Sequence, residues 1–361
     1  MFDTIDSSNI YVELRQVAAV ILPKIGCHTE PHAVNGKGHT RTTKFRTING
    51  KARYRGILYH YTAGVSLIGS MRWGNHTGWG NDSSSWHVTI GDRISPDVVG
   101  DIWTKIDPEL RKLFPVPTII MGDFRYGTWH GGWVNDVTLG VENRNGGYWG
   151  YNKLKGGLKA LGKEGVELNG RLWEPYTREQ MVANINLGRL ANGMINGQMD
   201  PDWIMTHQCV CSEKSDCGPA YEIHEVRNAI MSDTGTDELT FLAHYPSAIV
   251  GDDVVEDHWD SISTDRYEAS NDFVKWARPA KHIIEEERDP SWTAHQLYRI
   301  GFNSGPEVPE QETLRTFVKW FQRGTGAYAK RNPELVLIPD GIMGPKSEAV
   351  LKKRLQQLGI S

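Results

Sequence analysis

Apolar positions along this chain fall into two rhythms. Short runs closed by glycine or polar residues read as buried strands, and spacings of three and four read as helix faces. Arg55-Gly-Ile-Leu-Tyr-His60-Tyr-Thr-Ala-Gly64 is the clearest strand, and it places His60 where the strand meets its loop. Trp86-His87-Val-Thr-Ile90 reads as a second strand, with Gly91-Asp92 as its turn, and Val137 to Glu142 as a third that ends on a carboxylate. Trp203-Ile-Met205 is a short strand that delivers His207. Helical spacing runs through Met181, Ile185, Leu187, Leu190 and Met194, behind Thr177, an N-cap with Gln180 three residues on. A further helix is expected from about Ala220 to Met231, and Ile10 to Leu22 forms a helix or strand ended by Pro23. Residues 69–85 read as a loop, and 95–117 as a surface insertion carrying an amphipathic piece from Pro108 to Phe114.

Strands separated by helices place the chain in the α/β class. The end is different: Leu314 to Gln322 and Lys346 to Leu358 are helices around the turn Asp340-Gly-Ile-Met-Gly344-Pro345, which implies a small C-terminal all-α domain. The length of 361 residues suits two domains, at most three. The expected division is an N-terminal extension over 1–50, a main domain over 51–232, an acidic linker over 233–270 and a helical unit over 271–361.

Composition changes this picture in three places. A formal net charge of -4 gives no global basic field, so nucleic acid is not an expected partner. Thirteen Trp and 38 Gly suit aromatic stacking on sugar rings from flexible loops, although large cores also use Trp. Three of the four Cys lie within nine residues, which fits a reducing compartment or a metal better than a disulfide framework. Met1-Phe-Asp-Thr-Ile-Asp-Ser-Ser-Asn shows neither the basic start nor the apolar run of a signal peptide, and no run approaches 18 apolar residues. Cytoplasmic synthesis without membrane insertion is therefore the expectation.

Candidate chemistry concentrates in residues 205–221, Met-Thr-His-Gln-Cys-Val-Cys-Ser-Glu-Lys-Ser-Asp-Cys-Gly-Pro-Ala-Tyr. Imidazole, thiolate and carboxylate are the groups that zinc takes, and catalytic zinc keeps three protein ligands and one open position. Read alone, the stretch is a catalytic zinc loop, a structural zinc loop or a group of buried thiols. Glu142 is a candidate proton shuttle if buried, or an exposed strand-end charge.

Three segments in order resemble the zinc-dependent N-acetylmuramoyl-L-alanine amidases of the type-2 family, which includes peptidoglycan recognition proteins. They are Ile57-Leu-Tyr-His60-Tyr-Thr62, then His130-Gly with Leu139-Gly-Val-Glu142, then Thr206-His207 with Lys214-Ser-Asp216-Cys-Gly-Pro219. The resemblance covers about residues 50–230 and implies a central mixed β-sheet flanked by helices. It implies Zn2+ held by His60, His207 and Asp216, with Cys217 as the alternative third ligand. It further implies Glu142 as the proton shuttle, Lys214 as the oxyanion donor, and substrate contacts from His130 and Trp86; His130 is read equally as support behind a ligand. Trp73, Trp79, Trp129, Trp133 and Trp149 could line the groove, without individual roles. Asp340-Gly-Ile-Met-Gly-Pro345 and Leu355-Gln-Gln-Leu-Gly359 resemble a three-helix peptidoglycan-binding domain over about residues 290–361. Together these imply a phage endolysin that waits in the host cytoplasm, leaves through a holin pore and cleaves bacterial peptidoglycan. The alternatives are a cytoplasmic muropeptide-recycling amidase and a non-catalytic peptidoglycan-binding protein.

Overall fold

The computed structural model describes residues 7–29, 42–43, 45, 47–48, 51–64, 66–75, 85–148, 164–168, 171–211, 214–248, 289–304, 309–326 and 336–358. Its centre is a five-stranded mixed sheet. In chain order the strands are β1 (Gly56–Tyr61), β2 (Val88–Ile90), β3 (Thr118–Ile120), β4 (Thr138–Asn143) and β5 (Ile204–Thr206). In space they lie in the order β5-β1-β4-β2-β3, with only β3 antiparallel to its neighbour. Register places His60 of β1 beside Glu142 of β4, and Thr206 of β5 beside Tyr59.

Side chains on a strand alternate between faces, and the packing follows that rule. Ile57 and Tyr59 join Val141, Ile90 and Ile204 in one hydrophobic cluster, whereas Leu58 and Met205 belong to a second cluster on the other side. Three helices cover the first face: α1 (Ser7–Lys24), α2 (Arg178–Met194) and α3 (Ile223–Met231). The segment Ile10–Leu22 resolves as helix, burying Ile10, Leu14, Ala18, Ile21 and Leu22 along one stripe. Thr177 caps α2 through its Oγ1, which accepts from the Gln180 amide at 3.2 Å. Asn184 of α2 then donates to Asn143 Oδ1 at 2.7 Å, fixing the helix to the end of β4.

The second face is covered by α4 (Pro290–Arg299), α5 (Gln311–Gly326) and α6 (Pro345–Leu358). Ala294, Leu297, Phe317, Phe321, Leu351 and Leu355 from these helices share one core with Leu58, Met205, Trp203 and Val137. Trp203 and Trp320 meet with ring centroids 4.4 Å apart, and Cys209 Sγ donates to the Ile300 carbonyl at 3.1 Å. Buried Arg227 ties three parts together, donating to Ile204 O at 2.7 Å and to Gly301 O at 2.8 Å. The described part of the helical unit is thus the third layer of an α/β/α arrangement. The unbroken apolar run Ile57-Leu58-Tyr59 is the sequence signature of a strand covered on both faces.

Two regions read as peripheral prove central. The segment expected as a surface insertion buries Val99, Trp103, Leu110 and Phe114 completely or nearly so. Residues 233–248 of the expected linker pack Phe241, Leu242 and Tyr245 into the first core, and its remainder lies outside the described residues. Among the described residues no helix is long and apolar enough to cross a membrane.

A shared second core predicts one cooperative unfolding transition for sheet and C-terminal helices, read by calorimetry and circular dichroism. Leu58→Ala should lower the stability of the whole by about 2–5 kcal/mol, the usual range for a buried leucine. Two separable transitions, with only one moved by the substitution, would contradict this packing.

Candidate metal centre

Parallel strands bring their carboxyl ends to one edge, and functional groups gather there in α/β folds. Here β1 supplies His60 and β4 supplies Glu142 at the same level. The chain leaves β5 after Thr206, so His207, the next residue, falls beside His60. A loop then returns Asp216, and Gln208 N–H donates to Asp216 O at 2.8 Å to close it. Tyr61 and Ser215 hydroxyls, 2.6 Å apart, anchor that loop to the end of β1.

Three potential ligand atoms converge. His60 Nδ1 lies 3.0 Å from His207 Nδ1 and 3.0 Å from Asp216 Oδ2, and His207 Nδ1 lies 2.9 Å from that same oxygen. All three side chains are buried, and among the described residues they form the single group with metal-ligand spacing. A tetrahedral zinc with bonds of about 2.0–2.1 Å sets its ligand atoms roughly 3.3 Å apart, so this triangle fits such an ion with slight expansion. Two imidazole nitrogens and a carboxylate oxygen point at one place, where a ring proton or a cation can bridge them. The donor set therefore fits zinc.

Electrostatics agree. Burial, followed by the neighbouring His207, pushes His60 down to about 4, so its imidazole is neutral at pH 7. Burial alone would raise Asp216, but the charge and hydrogen bonds of His207 and His60 hold it well below the usual carboxylate range. Glu142 moves the opposite way: burial and then the Asp216 charge push it well above its ordinary value, while Lys214 opposes them. Its Oε2 is closed off from solvent and has no hydrogen-bond partner among the described residues. An acceptor left unsatisfied is costly, and this one stands on the strand beside His60.

The remaining candidates fall at different places. Lys214 is half-buried, and its charge lowers both Glu142 and His60. Cys217 is 1% exposed, packs in the first hydrophobic core and does not join the three-residue group. Trp86 is 3% exposed, and its indole Nε1 donates to Thr89 Oγ1 at 2.7 Å within the core. His130 sits behind His60, with its Nδ1 3.1 Å from His60 Nε2. Trp73 and Trp129 are exposed, Trp133 packs against Trp203 and Trp320, and Trp79 and Trp149 lie outside the described residues. Cys209 and Cys211 are buried, at 1% and 2% exposure.

Two contributors escaped sequence reading. Gly140 lies against the His130 ring, where a Cβ would come within 2.5 Å of Cγ, so the glycine of Leu139-Gly-Val-Glu142 makes room for an imidazole. Arg354 of α6 is buried and reaches the Cys211 carbonyl from Nη2 at 3.4 Å, carrying a positive charge toward the ligand loop. Its position within the stripe Val350, Leu351, Leu355, Leu358 was the readable sign: a cation amid an apolar face has a partner inside.

No protein-family model matches the sequence, and no curated protein matches it. Among solved structures, the chain is similar to the N-acetylmuramyl-L-alanine amidase AmiD from E. coli, in complex with the substrate anhydro-N-acetylmuramic acid-L-Ala-D-gamma-Glu-L-Lys. That match has 14% identity, a TM-score of 0.37, and coverage of 88% of this chain and 94% of that one. It is also similar to AMPDH3 from Pseudomonas aeruginosa in complex with anhydromuramic pentapeptide, at 15% identity and TM-score 0.36, over 87% and 96% of the two chains. Likenesses of this size carry no argument about function, which rests on the site itself.

The neutral state of His60 has a measurable consequence. Unfolding raises its pKa from about 4 to about 6.5, so the unfolded chain takes up a proton and folding is disfavoured as pH falls through that window. Glu142 contributes with the opposite sign but is present in both members of a comparison. The stability of metal-free wild type relative to His60→Asn should therefore fall between pH 6.5 and 4, measured by urea unfolding. A difference that does not vary with pH would contradict a buried neutral His60.

Proposed function

We propose that this protein is a zinc-dependent hydrolase that cleaves the amide between N-acetylmuramic acid and L-alanine in peptidoglycan. The observation that carries the metal-assisted reading is the convergence of His60, His207 and Asp216 within about 3 Å of one another, beside a carboxylate whose Oε2 has no partner among the described residues. The substrate class follows from the three ordered segments that resemble the type-2 amidases.

His60 Nδ1, His207 Nδ1 and Asp216 Oδ2 would hold the ion. Zinc bound there would supply Lewis acidity, polarising a carbonyl and lowering the pKa of water toward about 7. The chain's residues do the rest. Glu142 has a raised proton affinity and a free acceptor oxygen, which suits it to take a proton from water and return it to the departing amine nitrogen. Lys214 brings positive charge to the same edge and serves as donor to the oxygen that becomes negative, a contribution of about 3–4 kcal/mol at a typical oxyanion site. Buried walls strengthen both effects by excluding water.

Replacing the shuttle tests the assignment with little change in shape. Glu142→Gln should retain zinc and fold while release of stem peptides beginning at L-Ala drops by about 10²–10⁴-fold, followed by mass spectrometry of digested wall. Wild-type turnover in the variant would remove Glu142 from the mechanism. Chelation should abolish the same release and added zinc restore it; undiminished cleavage in excess chelator would end the metal reading.

A further inference from the structure

The contacts of His130 define a task different from touching substrate. Its Nε2 lies 3.2 Å from the carbonyl oxygen of Thr138, a group that can only accept. That oxygen places the proton on Nε2 and leaves Nδ1 as a lone pair. The lone pair faces His60 Nε2 at 3.1 Å, so the hydrogen bond requires a proton on that nitrogen of His60. A neutral imidazole carries one N–H, which leaves His60 Nδ1 bare. Nδ1 is the atom 3.0 Å from both His207 Nδ1 and Asp216 Oδ2. The reverse order sets the lone pair of His130 Nε2 against the Thr138 oxygen, and the proton it would bring from His60 Nδ1 to Asp216 Oδ2 is one that His207 Nδ1, 2.9 Å from the same oxygen, can supply.

We infer that His130 is a positioning residue that sets the tautomer of His60, passing the preference of the Thr138 carbonyl through two imidazoles so that Nδ1 is presented as a metal ligand. Its purpose rests on the metal reading above, but the proton placement does not. The ring is held for this role. Gly140 leaves room for it, and its loop is pinned because Asn135 Oδ1 accepts from His130 N–H at 2.9 Å and from Gly131 N–H at 2.7 Å. The two imidazoles meet edge-on, with centroids 5.3 Å apart and planes at 85°, which aligns a ring N–H with a ring lone pair. At 9% exposure His130 offers little surface to a substrate.

Two measurements on the full chain test this. In metal-free wild type at neutral pH, nitrogen NMR of the imidazoles should show both His60 and His130 protonated on Nε2. Zinc affinity, by competition with a chelating dye, should fall about 10–100-fold in His130→Leu, the usual effect of removing a ligand's supporting partner. His130→Asn, whose Oδ1 replaces the accepting nitrogen, should recover most of that loss, which a merely space-filling role would not require. A His60 proton on Nδ1 in wild type, or equal zinc affinity in the Leu and Asn variants, overturns the inference. If the Leu variant does not fold, the wild-type spectrum decides alone. Zinc binding with these dependences but no cleavage of wall sinks the amidase reading and leaves this one standing; cleavage by a chain whose His60 carries its proton on Nδ1 does the reverse.

Discussion

Everything in this fold answers to one constraint: three electron-rich atoms, His60 Nδ1, His207 Nδ1 and Asp216 Oδ2, are held within about 3 Å of one another and away from water. Side chains left free would separate to solvate those atoms. They stay because each leaves a different element whose direction is fixed elsewhere. His60 is set by the β1–β4 register, His207 by the first residue after β5, and Asp216 by a loop closed through the Gln208 amide. Beneath them His130, Gly140 and Thr138 form a second tier in contact with His60 through the His130 ring.

That edge needs a rigid sheet, and the layers explain its rigidity. One face carries α1–α3 and the other α4–α6, each with its own apolar cluster. His60 lies on the same face as Leu58 by strand alternation, which is the face that the C-terminal helices cover. Arg354 crosses from that layer to the ligand loop. A helical group that resembles a wall-binding unit in sequence therefore packs as the third layer of this fold.

The strands and α2 were legible because their signals are local: an apolar run, a glycine stop, a threonine cap. The strand-end places of His60 and Glu142 were legible in the apolar runs before them, whereas Asp216 was singled out by the resemblance of its segment. What sequence could not supply was pairing. Nothing near Leu58 says that it shares a core with Phe317 and Leu351, more than 250 positions away. The burial of Trp103 and Phe114 hid for the same reason, since prolines and acids around them read as surface. His130 was singled out for its place in a motif, but its task depends on a carbonyl eight residues on, across a turn. The loop Asp216-Cys217 left two adjacent ligand types in view, and only the path of the chain separates them, with the carboxylate in the cluster and the thiol in the core.

The central claim is that this cluster is a zinc site of two nitrogens and one oxygen. X-ray absorption at the zinc edge of the loaded full-length protein tests it most directly. The expected result is a first shell of nitrogen and oxygen at about 2.0–2.1 Å, with imidazole scattering from two histidines. A sulfur scatterer at about 2.3 Å would put a cysteine on the metal and contradict it.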